Sequence, residues 1–201
     1  MKDKIYILDG SRRLHIANTR GVLAEINGIR PIHIGFTSYD RDFVNSQLRI
    51  SYDETRAQVD AEALVGNLWR NRFFQEHPEA GKIVLFDEDL FSSAEPNNNW
   101  VFGGLFRQEG NLGTIVLSTA RMKDEIHARD VIRHEVGHMF GAPSYGRRNT
   151  YECMGNHCSD PACVMHQRLN AADSYTAAFQ REQNGRLSYC NLCQEDIRGV
   201  E

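Results

Sequence analysis

The first 152 residues contain no cysteine. All five cysteines, Cys153, Cys158, Cys163, Cys190 and Cys193, lie beyond them. Five is odd, so a fully paired disulfide set within one chain is excluded. Clustered cysteines in a reducing compartment are more often metal ligands than bridges. An excess of charge of one sign is also missing. Lys and Arg number 23 and Asp and Glu 27, for a formal charge of -4. Such a balance argues against a general nucleic-acid or anionic-membrane binder. No apolar run approaches the ~18 residues of a membrane span. No internal repeat and no low-complexity run is present.

What remains is an ordinary globular composition, with 41% apolar and 25% charged residues in a chain of 201. That length suits one large domain, or one domain with a small appendix. The opening residues, Met1 to Asp9, read as a strand and not as a signal peptide, so a cytoplasmic location is expected. Short apolar runs predict strands at Lys4 to Leu8, Pro31 to Thr37, Lys82 to Phe86, Trp100 to Phe106 and Leu112 to Leu117. Asp87-Glu88-Asp89 reads as an acidic turn, Asn97 to Asn99 as a loop, and Gly110 as part of a turn. A short helix is expected at Arg20 to Ile26, with Gly28 as punctuation after it. Helical spacing predicts long helices at Asp53 to Phe74, capped by Ser51 or Asp53, and at Asp124 to Gly141. Residues 142–160 read as loop-built, Leu169 to Gln183 as a helix, and the tail as carrying a last turn. The fold class is α/β or α+β: a single domain over 1–201, with an N-terminal subdomain to Gly141 and a C-terminal subdomain over 142–201.

The second long helix carries His134-Glu135-Val136-Gly137-His138, an H-E-x-x-H motif. Positions i and i+4 share a helix face, so both imidazoles can reach one cation with Glu135 beside them. Two histidines and an open position suit a zinc ion that binds water and lowers its pKa to about 7. Glu135 would take the water proton and deliver it to a leaving amine, which is the chemistry of amide hydrolysis. A zinc of this type needs a third protein ligand. In the pattern H-E-x-x-H-x-x-G-x-x-H, Gly141 is in place, but the position of the third histidine is Ser144.

Downstream, His157-Cys158 to Cys163 and Met165 has the form H-C-x4-C-x-M, and Cys190-Asn191-Leu192-Cys193 is C-x-x-C. In these residues the chain resembles the archaemetzincins, zinc peptidases of the metzincin clan. Asp89 to Phe91, Trp100 to Gly103 and Val116 to Ser118 look like that family's strand segments. The resemblance covers Asp87 to Cys193. It implies a metzincin-like mixed β-sheet with an active-site helix and a backing helix, and a small zinc-stabilised C-terminal subdomain. It further implies that His157 is the third ligand of a catalytic zinc and that Met165 is the Met-turn residue beneath the metal. The third ligand departs from the family spacing, because 15 residues, Ala142 to Asn156, separate Gly141 from His157. Asp160 and His166 are rival third ligands. The segment 142–156 is expected to be a loop at the active-site mouth that sets specificity.

Cys158-x4-Cys163 and Cys190-x2-Cys193 have the layout of a four-cysteine structural zinc site. The resemblance implies the same second zinc, for two zinc ions per chain. Cys153 has no partner by spacing and is expected to be a free thiol. His15, His33, His77 and His127 lack metal spacing. Arg147 and Arg148 are expected to form a solvated charge pair. The segment Phe102 to Phe106 is expected to bind extended peptide by strand addition, a role taken from the resemblance. The functional expectation is a zinc-dependent peptidase acting on peptides or proteins, with no nucleic-acid or membrane partner. The alternative is a zinc-stabilised binding or scaffold protein with a weak or silent catalytic centre.

Overall fold

The computed structural model describes residues 3–11, 15–36, 41–95, 99–106, 112–152, 155–168, 170–184 and 189–199. In chain order the elements are β1 (Asp3–Asp9), α1 (Ile16–Ile29), β2 (Ile32–Phe36), α2 (Arg41–Ile50), β3 (Tyr52–Asp53), β4 (Gln58–Asp60), α3 (Ala61–Trp69) and α4 (Arg72–Glu76). They continue with β5 (Gly81–Phe86), β6 (Leu90–Phe91), β7 (Gly103–Phe106), β8 (Thr114–Ser118), α5 (Glu125–Met139), β9 (Thr150–Glu152), β10 (Asn156–Cys158), α6 (Ala171–Gln183) and α7 (Asn191–Arg198). The fold is mixed α/β, as the patterning predicts. It divides into two compact units, residues 1–17 with 32–121, and residues 18–31 with 122–201.

The first unit is built on a five-stranded sheet in the order β2-β1-β5-β8-β7. The four strands from β2 to β8 are parallel, and β7 closes the edge antiparallel to β8. Every residue of β5 and β8 is buried. Continuous apolar runs of this kind are what a parallel sheet covered on both faces requires. Tyr6, Leu8, Val84, Phe86 and Val116 point to one face, where they pack with Val44 and Leu48 of α2, Leu64 and Leu68 of α3, and Phe73 and Phe74.

Three expected elements differ. The helix predicted over Asp53 to Phe74 is instead the β3–β4 hairpin followed by two short helices. The Asp53 carboxylate accepts the backbone N–H groups of Thr55 and Arg56 at 2.8 and 3.1 Å, which stabilises a turn and removes Asp53 as a helix cap. Ala57 completes that turn at φ 53°. The true cap is Asp60, whose side chain accepts from Glu62 N. Asn71 interrupts the pattern by capping α4. Second, α2 is a helix where none was predicted. Only Val44 and Leu48 of it are buried, too few apolar positions to stand out. Third, the expected short helix at Arg20 to Ile26 extends over all of α1. Gly28, read as punctuation, sits inside it, while Thr19, Val22, Leu23 and Ile26 are buried. The acidic triplet does form a turn after β5. Asp89 there pairs with both arms of Arg121, at 2.8 and 2.6 Å.

In the second unit, α5 starts where the Asp124 carboxylate accepts His127 N–H at 2.9 Å and ends at Gly141, whose φ of 85° suits a residue without Cβ. Asn170 caps α6, which packs on α5. The two helices are joined by a buried ion pair, Arg181 with Asp130, and by His127 Nε2 with Ser174 Oγ at 3.0 Å. Arg133 of α5 holds Glu25 of α1 at 2.8 Å. The segment expected as loop, 142–156, contains a strand. Its β9 pairs antiparallel with β10, placing Tyr151 opposite His157. Leu169 and Cys153 lie outside the described residues. Among the described residues, no helix is long and apolar enough to cross a membrane.

Candidate metal centres

Helical geometry puts His134 and His138 on one face of α5, and the β9–β10 ribbon brings His157 to meet them. The three Nε2 atoms form a triangle with edges of 3.1 Å (His134 to His138), 3.2 Å (His134 to His157) and 3.3 Å (His138 to His157). Two of the rings are oriented by carbonyls. His134 Nδ1 lies 2.8 Å from Val164 O, and His157 Nδ1 lies 3.2 Å from Gly155 O. A carbonyl can only accept, so these Nδ1 atoms carry the protons and both Nε2 atoms present lone pairs. Lone pairs facing one point repel unless a cation sits between them. A tetrahedral zinc with Zn–N distances of about 2.0–2.1 Å separates its nitrogens by about 3.3–3.4 Å. The triangle fits that ion. Burial holds His134 down to about 4, so at neutral pH it is the uncharged base a metal needs.

Glu135, next to His134, is buried. Burial pushes its carboxyl up to about 7. A group that exchanges its proton near neutrality is suited to general acid–base work. Met165 is fully buried against Gly137, the residue before His138 on α5. A Cβ on Gly137 would stand 2.3 Å from Met165 Sδ and 2.9 Å from Tyr189 Cε1. Gly137 is therefore the notch in α5 that lets the Met165 turn press against the helix. Tyr189 fixes that floor by donating its hydroxyl to Arg133 O at 2.6 Å.

The second group is Cys158, Cys163, Cys190 and Cys193, whose sulfurs all lie within 4.8 Å of one another. Cys158 to Cys190 is 3.8 Å and Cys163 to Cys193 is 3.7 Å. Both are far beyond the about 2.05 Å of a disulfide. Both match the about 3.8 Å between sulfurs of a tetrahedral zinc with Zn–S of about 2.3 Å. Without a cation the group cannot ionise fully. The hydrogen bond shared with Cys193 holds Cys163 down to about 6, whereas burial pushes Cys158 up to about 12. Four thiolates this close, three of them buried, would need a cation to balance their charge, so the group could hold a metal ion. The two groups share backbone: His157 and Cys158 are neighbours on β10, and Val164, which orients His134, lies between Cys163 and Met165. Cys158 N–H closes the turn onto Met165 O at 2.9 Å.

Asp160 and His166 do not join the three-nitrogen group. Asp160 accepts Ala162 N–H at 2.9 Å, and His166 Nδ1 faces Cys158 O at 2.8 Å. Ser144 donates its backbone N–H to Asp196 at 3.1 Å. His127 is a core histidine, and His33 is exposed. Arg148 is exposed as expected, but Arg147 is not a solvated charge. It pairs with Asp196, with side chains only 13% and 10% exposed, and it donates to Cys193 Sγ at 3.2 Å. Sequence reasoning missed Gly137 and Tyr189, and it misassigned Arg147. Only Gly137 carried a local signal, as a small residue inside the H-E-x-x-H motif.

No protein-family model and no curated protein matches the sequence. The fold is shared with a solved zinc-dependent peptidase from Methanocorpusculum labreanum (strain Z). That structure superposes with a TM-score of 0.62 at 16% identity, over 96% of this chain and 99% of the other. A metalloproteinase-II from Bacteroides fragilis aligns with a TM-score of 0.46 at 13% identity, over 90% of this chain and 52% of its own.

Proposed function

We propose that this chain is a zinc-dependent peptidase of the archaemetzincin type. The observation that carries the reading is the triangle of His134, His138 and His157 Nε2 atoms, 3.1–3.3 Å apart, with a buried carboxylate one residue away. His134, His138 and His157 would hold a catalytic zinc. Cys158, Cys163, Cys190 and Cys193 would hold a second, structural one in a closed shell. Zinc held there would supply Lewis acidity to polarise a scissile carbonyl and to acidify water.

The remaining chemistry belongs to the chain. Glu135 takes a proton onto a carboxylate oxygen from the attacking water and hands it to the leaving amine. Val164 O and Gly155 O hold two imidazoles in the tautomer that points Nε2 inward. Met165, seated on Gly137, keeps the His134–His138 face in register with β10. The shared fold of a zinc-dependent peptidase supports the reading, as does the H-C-x4-C-x-M pattern.

Incubating the zinc-loaded protein with a mass-spectrometry peptide library tests it. Cleavage that stops on chelation and returns with zinc is expected. No cleavage by protein with both sites loaded would overturn it in favour of a zinc-stabilised scaffold.

A further inference from the structure

The segment 142–156 separates the helix glycine from His157, and several of its described polar groups are bonded within it or to the cysteine-bearing elements. Asn156 Nδ2 donates to Pro143 O and to Ser144 O, both at 2.9 Å, tying the start of the segment to the residue before His157. Thr150 Oγ1 donates to Arg147 O at 2.7 Å. Asn149 O accepts Ser159 N–H at 2.9 Å, and Asn149 Nδ2 reaches Cys158 Sγ at 3.9 Å. At the centre is Arg147, with one arm on Asp196 and the other on Cys193 Sγ. Asp196 lies on the same helix as Cys193, and it also accepts Ser144 N–H.

We infer that this segment is an outer bracket of the four-cysteine centre, in which Arg147, held by Asp196, is the positioning residue that supplies positive charge to the thiolates. The inference rests on reading the four cysteines as a zinc site. Four thiolates around a divalent ion leave two negative charges in a mostly buried place, and such charge needs a nearby cation or donor. Guanidinium meets that need in a way ammonium cannot. Its planar fork serves a sulfur with one arm and a carboxylate with the other, and each charge-assisted bond fixes the other's direction. Outer partners of this kind orient ligands and tune metal affinity. The bracket also carries β9, the strand paired with His157, so the same residues hold the third imidazole in place.

The test uses the full chain loaded with cobalt(II) or zinc. The readouts are the sulfur-to-cobalt charge-transfer band and competition for the thiolate-bound metal by a chromophoric chelator. Arg147→Gln is expected to weaken that metal by about 10–100-fold and to shift the band. Arg147→Lys should recover part of the affinity, and Asp196→Asn should fall between the two. If Arg147→Gln does not fold, the lysine and Asp196 variants carry the comparison, because a role in packing alone would not move the band. Affinity within twofold of the parent and an unchanged band in these variants would overturn the bracket. A parent protein with no sulfur-to-cobalt band would instead remove the four-cysteine zinc site itself, and the bracket with it.

Discussion

Replacing Glu135 with glutamine lowers kcat/KM for peptide hydrolysis by about 10²–10⁴-fold, while zinc content and thermal midpoint stay as in the parent protein. The loss corresponds to about 2.7–5.4 kcal/mol of transition-state stabilisation at 1.36 kcal/mol per tenfold. Metal should stay because Glu135 is not part of the three-nitrogen group. Folding should be retained because the amide is isosteric, and burial already penalises the charged carboxylate. Steady-state kinetics with zinc counted per chain separates the two effects. Parent-level hydrolysis in the zinc-loaded glutamine variant would remove Glu135 as the proton carrier.

Replacing Cys163 with serine removes one zinc per chain and unfolds or loosens the C-terminal part of the second unit. Zinc bound by a structural site contributes about 10–16 kcal/mol to folding, as much as the about 5–15 kcal/mol of net stability of a whole domain. The damage is expected to spread to the histidines. Cys163 precedes Val164, whose carbonyl orients His134, and Cys158 adjoins His157 on β10. Metal affinity at the three histidines should therefore fall although none of them is altered. Native mass spectrometry and a chelator titration check both points. A serine variant that keeps two zinc ions and the parent melting curve would show that the cysteines hold no metal.

Much of this was legible in the sequence because the relevant signals are local. The spacing of His134 and His138 on a helix, the helix beginning at Asp124 and the stop at Gly141 follow from rules that act over a few residues. The cysteine pairs announced their group in the same way. What escaped depends on contacts distant in sequence or on competition between local states. The Asp53 side chain could cap a helix or a turn, and the turn with Thr55 and Arg56 won. Arg147 and Asp196 are 49 residues apart, so nothing local showed that this arginine faces a carboxylate and a sulfur. The same holds for Gly137, whose missing side chain matters only because Met165 and Tyr189 arrive from the distant end of the chain. The segment 142–156, expected to be a specificity loop, has most of its polar groups committed to β10, Cys158 and α7. Among its described residues, Tyr145, 81% exposed, and Arg148 face outward.

The central claim is that His134, His138 and His157 hold a metal ion, and anomalous scattering at the zinc edge from crystals of the zinc-loaded protein tests it most directly. The account predicts two peaks, one about 2.0–2.1 Å from three Nε2 atoms and one about 2.3 Å from four Sγ atoms. A single peak at the cysteines, or a second peak on His134 and His138 with Asp160, His166 or nothing in the place of His157, would contradict it.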